Sequence, residues 1–473
     1  MTEIIARANK FKTRVDEALG DDELQRALSV IRGGFVKKRL HARTACRDFE
    51  NLSNKAVQIK DQTLANLDYY LEIFEQNVNK SGGHIHYAST PEDARSIIKT
   101  LCRNEAAKKI VKSKTMVGEE IGLTPFLENE GIETIETDLG EYIIQLRGEM
   151  PSHIIAPALH LTRGKIRKDF KDAHTNLDEN RLLEEPKDFV SEARAIMRQN
   201  FVTADIGITG ANFLVAETGS TIIVTNEGNG DLCEVMPKTH IVLSSIEKIV
   251  PGLSEAAILL RLLARSATGQ PITAYTTFST GPARSGDPDG PENFHVVLLD
   301  NGRSEMVGGE FHEMMRCIRC GACLNHCPVY QAVGGHAYGS VYPGPMGAVL
   351  SPKFQGQKEA HDLPRASSFC GRCVEVCPMQ IPLTKMMRKW REKSIDNEAV
   401  HSKLLMRTWA FLAKDPVKYN LMLNLTLPLL SRLAKISSIA KLLPAANAWI
   451  KHRDLPEIHA VTFQKQWRRQ QNG

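Results

Sequence analysis

The chain has 473 residues, 42% of them hydrophobic, which is enough apolar material for two or three domains with cores of their own. Its 60 basic residues against 55 acidic ones leave a formal charge of only +5, too even a balance for a protein built to bind nucleic-acid phosphates. No apolar run reaches the ~18 residues of a membrane span, and the N-terminus "MTEIIARANKFKTRVDEALG" carries charges where a signal peptide is apolar, so a cytoplasmic protein is expected.

Residues 1–65 are polar, with apolar residues at spacings of three and four, and predict a helical N-terminal arm. Over 66–302 short β-branched runs alternate with helix-like segments. This is the texture of βαβ units around a mostly parallel sheet, an α/β fold. The strand candidates are "HIHYA", "IETIET", "YIIQL", "STIIVTN", "HIVLSSI" and "HVVLLD". Within "DIGITGANFLVAETGSTIIVTNEGNGDL", Gly207 and Gly210 precede an expected short helix. Glu217, Thr218 and Gly219 form a turn before a strand, and Asn226, Glu227, Gly228 and Gly230 form the next turn. Glycine-rich turns at the ends of parallel strands are where open α/β sheets bind ligands. Thr209, Glu217, Thr218, Asn226, Glu227 and His240 are therefore the ligand-binding candidates, with Ser220 as a further hydroxyl; the alternative is that the glycines merely permit tight connections. A general acid or base would come from His153, His160, His240, Glu119, Glu120, Asp138 or Glu141. No convincing dinucleotide fingerprint and no flavin motif occur, which leaves the catalytic residues unassigned.

The turn-rich "NGRSEMVGGEFH" marks a boundary, and 303–395 form a cysteine-rich module. Seven of the ten cysteines fall between 317 and 377, a clustering that in a reducing compartment indicates metal rather than disulfides. Cys317, Cys320, Cys323, Cys327 and Pro328 have the C-x2-C-x2-C-x3-C-P spacing of two-cluster ferredoxins, in which the fourth cysteine ligates the other cluster. A zinc site is the alternative, and it explains a run of four cysteines closed by proline poorly. Shifted by fifty residues, Cys320, Cys323 and Cys327 fall on Cys370, Cys373 and Cys377, and Cys317 falls on Ser367. Crossed ligation then gives one cluster Cys317, Cys320, Cys323 and Cys377 and leaves the other with Cys327, Cys370 and Cys373. The second is either a three-iron cluster or a cube completed by Ser367, His361, one of the scattered Cys46, Cys102 and Cys233, or an outside ligand. Between the repeats, "GGHAYGSVYPGPMGAVLSP" is expected to wrap the clusters and exclude water, with partner docking as the alternative. The tail, 396–473, is Leu-rich, broken by Pro428 and Pro444, and reads as core-packing helices or as a docking face for a partner or membrane surface.

Several long stretches, including "PSHIIAPALH", "STGPARSGDPDGPENFHVVLLDNGRS", "YGSVYPGPMGAVLSP" and "HRDLPEIHAVTFQKQW", resemble those of the bacterial lactate-utilisation iron–sulfur protein family, LutB or LldF, from about residue 60 onward. The resemblance implies a LUD domain of ribose-phosphate isomerase and CoA-transferase-like topology, followed by an α-helical ferredoxin module with two [4Fe-4S] clusters. It further implies an electron-carrying role in oxidising L-lactate to pyruvate, beside a cysteine-rich LutA-type subunit and a smaller LutC-type LUD protein. A self-contained hydroxy-acid oxidoreductase and a redox-sensing or scaffold subunit are the other readings.

Overall fold

The computed structural model describes residues 8–395, 400–434 and 457–471. They fall into two compact units, one up to Lys393 and one from Ser394.

The first unit is organised by a six-stranded sheet. Its strands are β1 (His84–Ala88), β2 (Lys109–Lys112), β3 (Glu133–Glu136), β4 (Ile206–Thr209), β7 (Thr239–Ser245) and β10 (Asn293–Leu299), in the order β1-β10-β7-β4-β2-β3, and every pairing is parallel. The central strands are buried along their whole length, as a parallel sheet covered on both faces requires. A smaller mixed sheet, ordered β8-β5-β6-β9, combines β5 (Phe213–Val215), β6 (Ser220–Thr225), β8 (Ile249–Val250) and β9 (Tyr275–Ser279).

Two local expectations give way here. "YIIQL" is not a strand but part of the helix Leu139–Arg147, which Asp138 starts by accepting the Glu141 N–H at 3.0 Å and Gly148 ends at φ +64°. Tyr142, Ile143 and Ile144 are all buried, so a helix surrounded by core shows no polar face and no 3.6-residue period. The short helix expected after Gly210 is instead β5, whose three residues are all buried against β6 and β8. The β5–β6 turn holds Gly219 at φ +67°, where a Cβ would lie 2.5 Å from the Val78 nitrogen.

The N-terminal residues are helical, as expected of the arm, with segments Phe11–Gly20, Asp22–Ile31, Lys37–Ala45 and Phe49–Ala65, and they pack onto the cysteine module. Phe11, Leu28, Ile31 and Leu52 share one hydrophobic core with Cys320, Cys323, Cys327 and Cys373. Polar ties follow the same path. Arg14 donates to Ala337 O (3.1 Å), Arg39 to Val376 O (2.6 Å) and Ser53 to Pro378 O (2.6 Å).

In the second unit, helix Pro416–Ala434 runs through Pro428 instead of breaking there. The ring forfeits a single N–H in a 19-residue helix flanked by leucines. Leu421, Leu425 and Leu429, spaced by four, are exposed, so among the described residues this face is not core. Pro444 lies outside the described residues. No helix among the described residues is long and apolar enough to cross a membrane.

Candidate functional site

The two cysteine repeats share a backbone. Arg319 and Phe369, each just before a cysteine, take positive φ (59° and 54°), as do Gly321 and Gly371 just after it (71° and 80°). Each pair leads into a four-residue helix, Ala322–Asn325 or Arg372–Glu375. Left-handed backbone at non-glycine residues is uncommon. Its recurrence at equivalent positions fixes how each loop turns around its cysteines.

Cys317, Cys320 and Cys323 from the first repeat and Cys377 from the second line one small cavity, whose other walls are apolar: Met314, Ile318, Met346, Met379 and Ile381. Burial first, and the neighbouring thiols with it, push the Cys320 thiol up to about 12 and Cys377 up to about 11. Burial and the other sulfurs likewise hold Cys323 well above the ordinary thiol value. Four sulfurs gathered in so apolar a cavity can be thiolates together only with a cation among them, so the donor set fits an iron–sulfur cluster. Cys327, Cys370 and Cys373 form a second mutually interacting set, and Cys323 also feels Cys373, which makes the two sets neighbours. Cys370 is the exposed member.

Of the residues considered for completing the second set, Ser367 stands where Cys317 stands in the first repeat, and its Oγ accepts the Phe369 N–H at 3.1 Å. His361 is turned toward Arg365 (3.3 Å) and Asp362 (3.5 Å). Cys102 and Cys233 are buried in α/β cores, Cys233 against Thr137 at 3.3 Å, apart from both sulfur sets. Residues 337–352, between the repeats, are buried throughout, and the helix Gly344–Phe354 takes up the second half of what the sequence suggested was a loop. Tyr338 reaches both sulfur sets through its interactions with Cys323 and Cys327. Gly335 admits no side chain, since a Cβ there would lie 1.7 Å from Ser152 O.

A larger cavity of about 280 Å³ lies at the carboxyl ends of the central strands, the crevice where open α/β sheets bind ligands. Ser113, Lys114 and Thr115 follow β2, Asp138 follows β3, Asn212 follows β4, and Lys248 follows β7. The cysteine module closes it with Arg319 and Tyr342. Of the ligand-binding candidates, Asn226 and Glu227 line this cavity. Burial and then Asp138 raise the Glu227 carboxyl above its ordinary range. Asn226 is held by Gln270 and the Ala274 N–H at 3.1 Å.

The remaining candidates lie elsewhere. Thr209 and His240 form a buried pair (2.8 Å), with burial pushing His240 down to about 3. Glu217 accepts the Leu253 N–H (3.2 Å) and Thr218 donates to Ser220 (2.8 Å), so that turn anchors a helix and a strand rather than a ligand. His153 accepts the Ile155 and Ala156 N–H groups at Nδ1 and meets Asn325 Oδ1 at Nε2 (2.9 Å), and burial lowers it to about 4. His160 sits between Glu149 (2.8 Å) and Ser152 (2.9 Å). Glu119 pairs with Lys112 (3.1 Å) and Glu141 with Lys114 (3.7 Å).

Sequence reasoning missed the charged junction between sheet and cysteine module. Arg303, fully buried, binds Glu120 (2.6 Å) and Glu247 (3.0 Å). Glu247 also binds Arg319 (3.1 Å), and Tyr342 donates to Glu120 (2.7 Å). Burial alone would raise Glu247, but Arg303 and Arg319 outweigh it and hold the carboxyl at about 2. Of its members, Glu120 alone was among the acid/base candidates.

Residues 71–299 match the LUD domain family, 313–381 the 4Fe-4S dicluster domain, and 385–472 the C-terminal domain of lactate utilisation protein B. The chain is 43% identical to lactate utilization protein B of Bacillus velezensis and to that of Bacillus subtilis, covering 96% of this chain and 95% of each relative. With the protein of the same name from Geobacillus thermodenitrificans it shares 43% identity over 98% of this chain and 97% of that one. A solved DUF162 family protein from Deinococcus radiodurans matches at 17% identity and a TM-score of 0.27, covering 49% of this chain and 98% of that one. An α/β domain closed by a two-repeat cysteine module, matched over nearly its whole length by these relatives, belongs to the lactate utilization protein B family.

Proposed function

We propose that this chain is the iron–sulfur electron-transfer subunit of a complex that oxidises L-lactate to pyruvate. Two [4Fe-4S] clusters carry the electrons, the first on Cys317, Cys320, Cys323 and Cys377. The second sits on Cys327, Cys370 and Cys373, with Ser367 or an outside ligand at its fourth iron. The observation that carries the reading is the cavity that gathers cysteines from both repeats, in a chain whose relatives are named for lactate utilisation. Lactate oxidation releases two electrons and two protons, and two clusters accept the electrons one each. The first set is largely buried and adjoins the α/β cavity, whereas Cys370 is exposed, which suits transfer outward to a partner. The partners are a cysteine-rich LutA-type subunit and a LutC-type LUD protein, and any membrane contact is peripheral.

The test is an anaerobic mixture of the three proteins and L-lactate, followed by EPR. Reduction of both clusters that requires lactate and the partners is the expected outcome. Clusters left oxidised by lactate with all partners present would contradict it and favour a redox-sensing or scaffold role.

A further inference from the structure

The α/β cavity holds cations with no assigned task. Arg319 is only 7% exposed. Its Nη2 is engaged by Glu247 (3.1 Å) and its guanidinium lies over the Tyr342 ring (5.0 Å), but its Nη1 is buried and has no hydrogen-bond partner among the described residues. Lys248, 8% exposed, lines the same cavity, and its ammonium makes no hydrogen bond or ion pair among the described residues. Across the cavity, Lys114 Nζ likewise lacks a hydrogen bond among the described residues, with the Glu141 carboxylate at 3.7 Å and Glu227 as a further electrostatic neighbour.

Behind the Arg319 wall, Lys60, Lys248, Arg303 and Arg319 stand against Glu120 and Glu247, four positive charges to two negative ones, and the cavity lining itself sets Lys114, Lys248 and Arg319 against Asp138 and Glu227, three to two. A buried charge left unpaired is strongly unfavourable, so such an excess calls for an anion. The first cluster supplies part of that anion, because Lys60, Lys248 and Arg319 all interact with Cys317. Offsetting the cluster does not require an opening, however. Arg319 and Lys248 both face a space of about 280 Å³ that continues past Ser113, Thr115 and Asn212.

We infer that this cavity binds a small organic anion, its carboxylate between Lys248 and the free Nη1 of Arg319 and its polar end toward Ser113 and the side-chain amide nitrogen of Asn212. The volume lies just under the roughly 300 Å³ at which drug-sized pockets begin, ample for a metabolite of a few carbons. Naming 2-hydroxy- and 2-oxocarboxylates as the class rests on the function proposed above; the anion site itself does not. Arg319 lies between Cys317 and Cys320, so the bound carboxylate sits beside the first cluster and its charge acts on that cluster directly.

Isothermal titration calorimetry on the anaerobic full-length chain tests this, with L-lactate and pyruvate as probes and uncharged lactamide as control. Iron content and EPR are read on the same samples. Saturable one-to-one binding of at least one anion is expected, with none for lactamide. Lys248→Met should weaken binding at least tenfold, and Lys248→Arg should retain most of it. Lys114→Met, on the opposite wall, should also weaken binding and keeps the test decisive if Lys248→Met does not fold. No saturable binding, equal binding of lactamide, or unchanged affinity in a folded Lys248→Met would overturn the inference. Two intact clusters without anion binding would remove only this inference. Anion binding in a chain without clusters would remove only the electron-transfer reading.

Discussion

Glu247 joins the α/β sheet to the cysteine module, and replacing it with glutamine isolates the worth of that junction. The side chain is 1% exposed and bridges Arg303 (3.0 Å) and Arg319 (3.1 Å). Glu247→Gln keeps the shape and removes the charge, leaving Arg303 with Glu120 alone and Arg319 with no carboxylate. Removing one partner of a buried ion pair costs about 3–5 kcal/mol. Unfolding entropy of ~2.1 cal/mol/K per residue, over the unit that ends at Lys393, gives about 0.8 kcal/mol/K and hence a fall in Tm of ~4–6 °C. Differential scanning calorimetry of the anaerobic protein reads this directly. The control is Glu305→Gln, since Glu305 is 74% exposed and pairs with Lys353 at the surface, where ion pairs contribute at most about 1 kcal/mol. A Glu247→Gln midpoint equal to that of Glu305→Gln would refute the view that the buried network joins the modules.

Three further outcomes are expected. Tyr338, fully buried beside Cys323 and Cys327, has a hydroxyl with no hydrogen-bond partner among the described residues and is placed to donate to cluster sulfur. Tyr338→Phe should lower a cluster potential by about 40 mV, the one-electron equivalent of a net hydrogen bond of ~1 kcal/mol, in an EPR-monitored redox titration. Gly335→Ala should sharply reduce the yield of folded protein, because its methyl would overlap Ser152 O; this is checked by soluble expression and melting midpoint. His153 is held down at about 4 by burial, so between pH 6.5 and 4 the unfolded chain binds a proton that the folded one does not, and stability falls as pH drops through that window. His153→Asn should flatten the dependence of the midpoint on pH there, by up to about 3 kcal/mol, and an unchanged slope would show that His153 does not cause it.

The sequence displayed its metal chemistry openly because cysteine spacing is a local property, set by how a short loop wraps a cluster. The strands at His84, Ser220, Thr239 and Asn293 were legible for a similar reason, each a β-branched or aromatic run between turns. Lys109–Lys112 and Ile206–Thr209 were not, being four-residue strands at the centre of the sheet with no alternation to show. The helix at Tyr142 hid behind a continuous apolar run. Of the ligand-binding candidates, Asn226 and Glu227 line the cavity, whereas Thr209, Glu217, Thr218 and His240 do not. Glycine and hydroxyl content pointed to the β4–β6 turns, but the hydroxyls of Thr209 and Thr218 are engaged within the fold. The cavity's cations come from residues 114, 248 and 319, which only tertiary structure brings together. The same holds for the N-terminal helices. Their amphipathic pattern announced helices but not that the cysteine module was the partner they cover.

The most direct test of the account is the ligand set of the first cluster, the claim that Cys377 of the second repeat completes the cysteines of the first. Mössbauer spectroscopy and iron quantitation on anaerobic, iron-57-reconstituted wild type, Cys377→Ala and Cys327→Ala decide it. The account predicts about eight irons in the wild type, with each variant losing or converting a different one of two four-iron clusters. If Cys377→Ala and Cys327→Ala damage the same cluster, or the wild type holds only one, the crossed arrangement is contradicted.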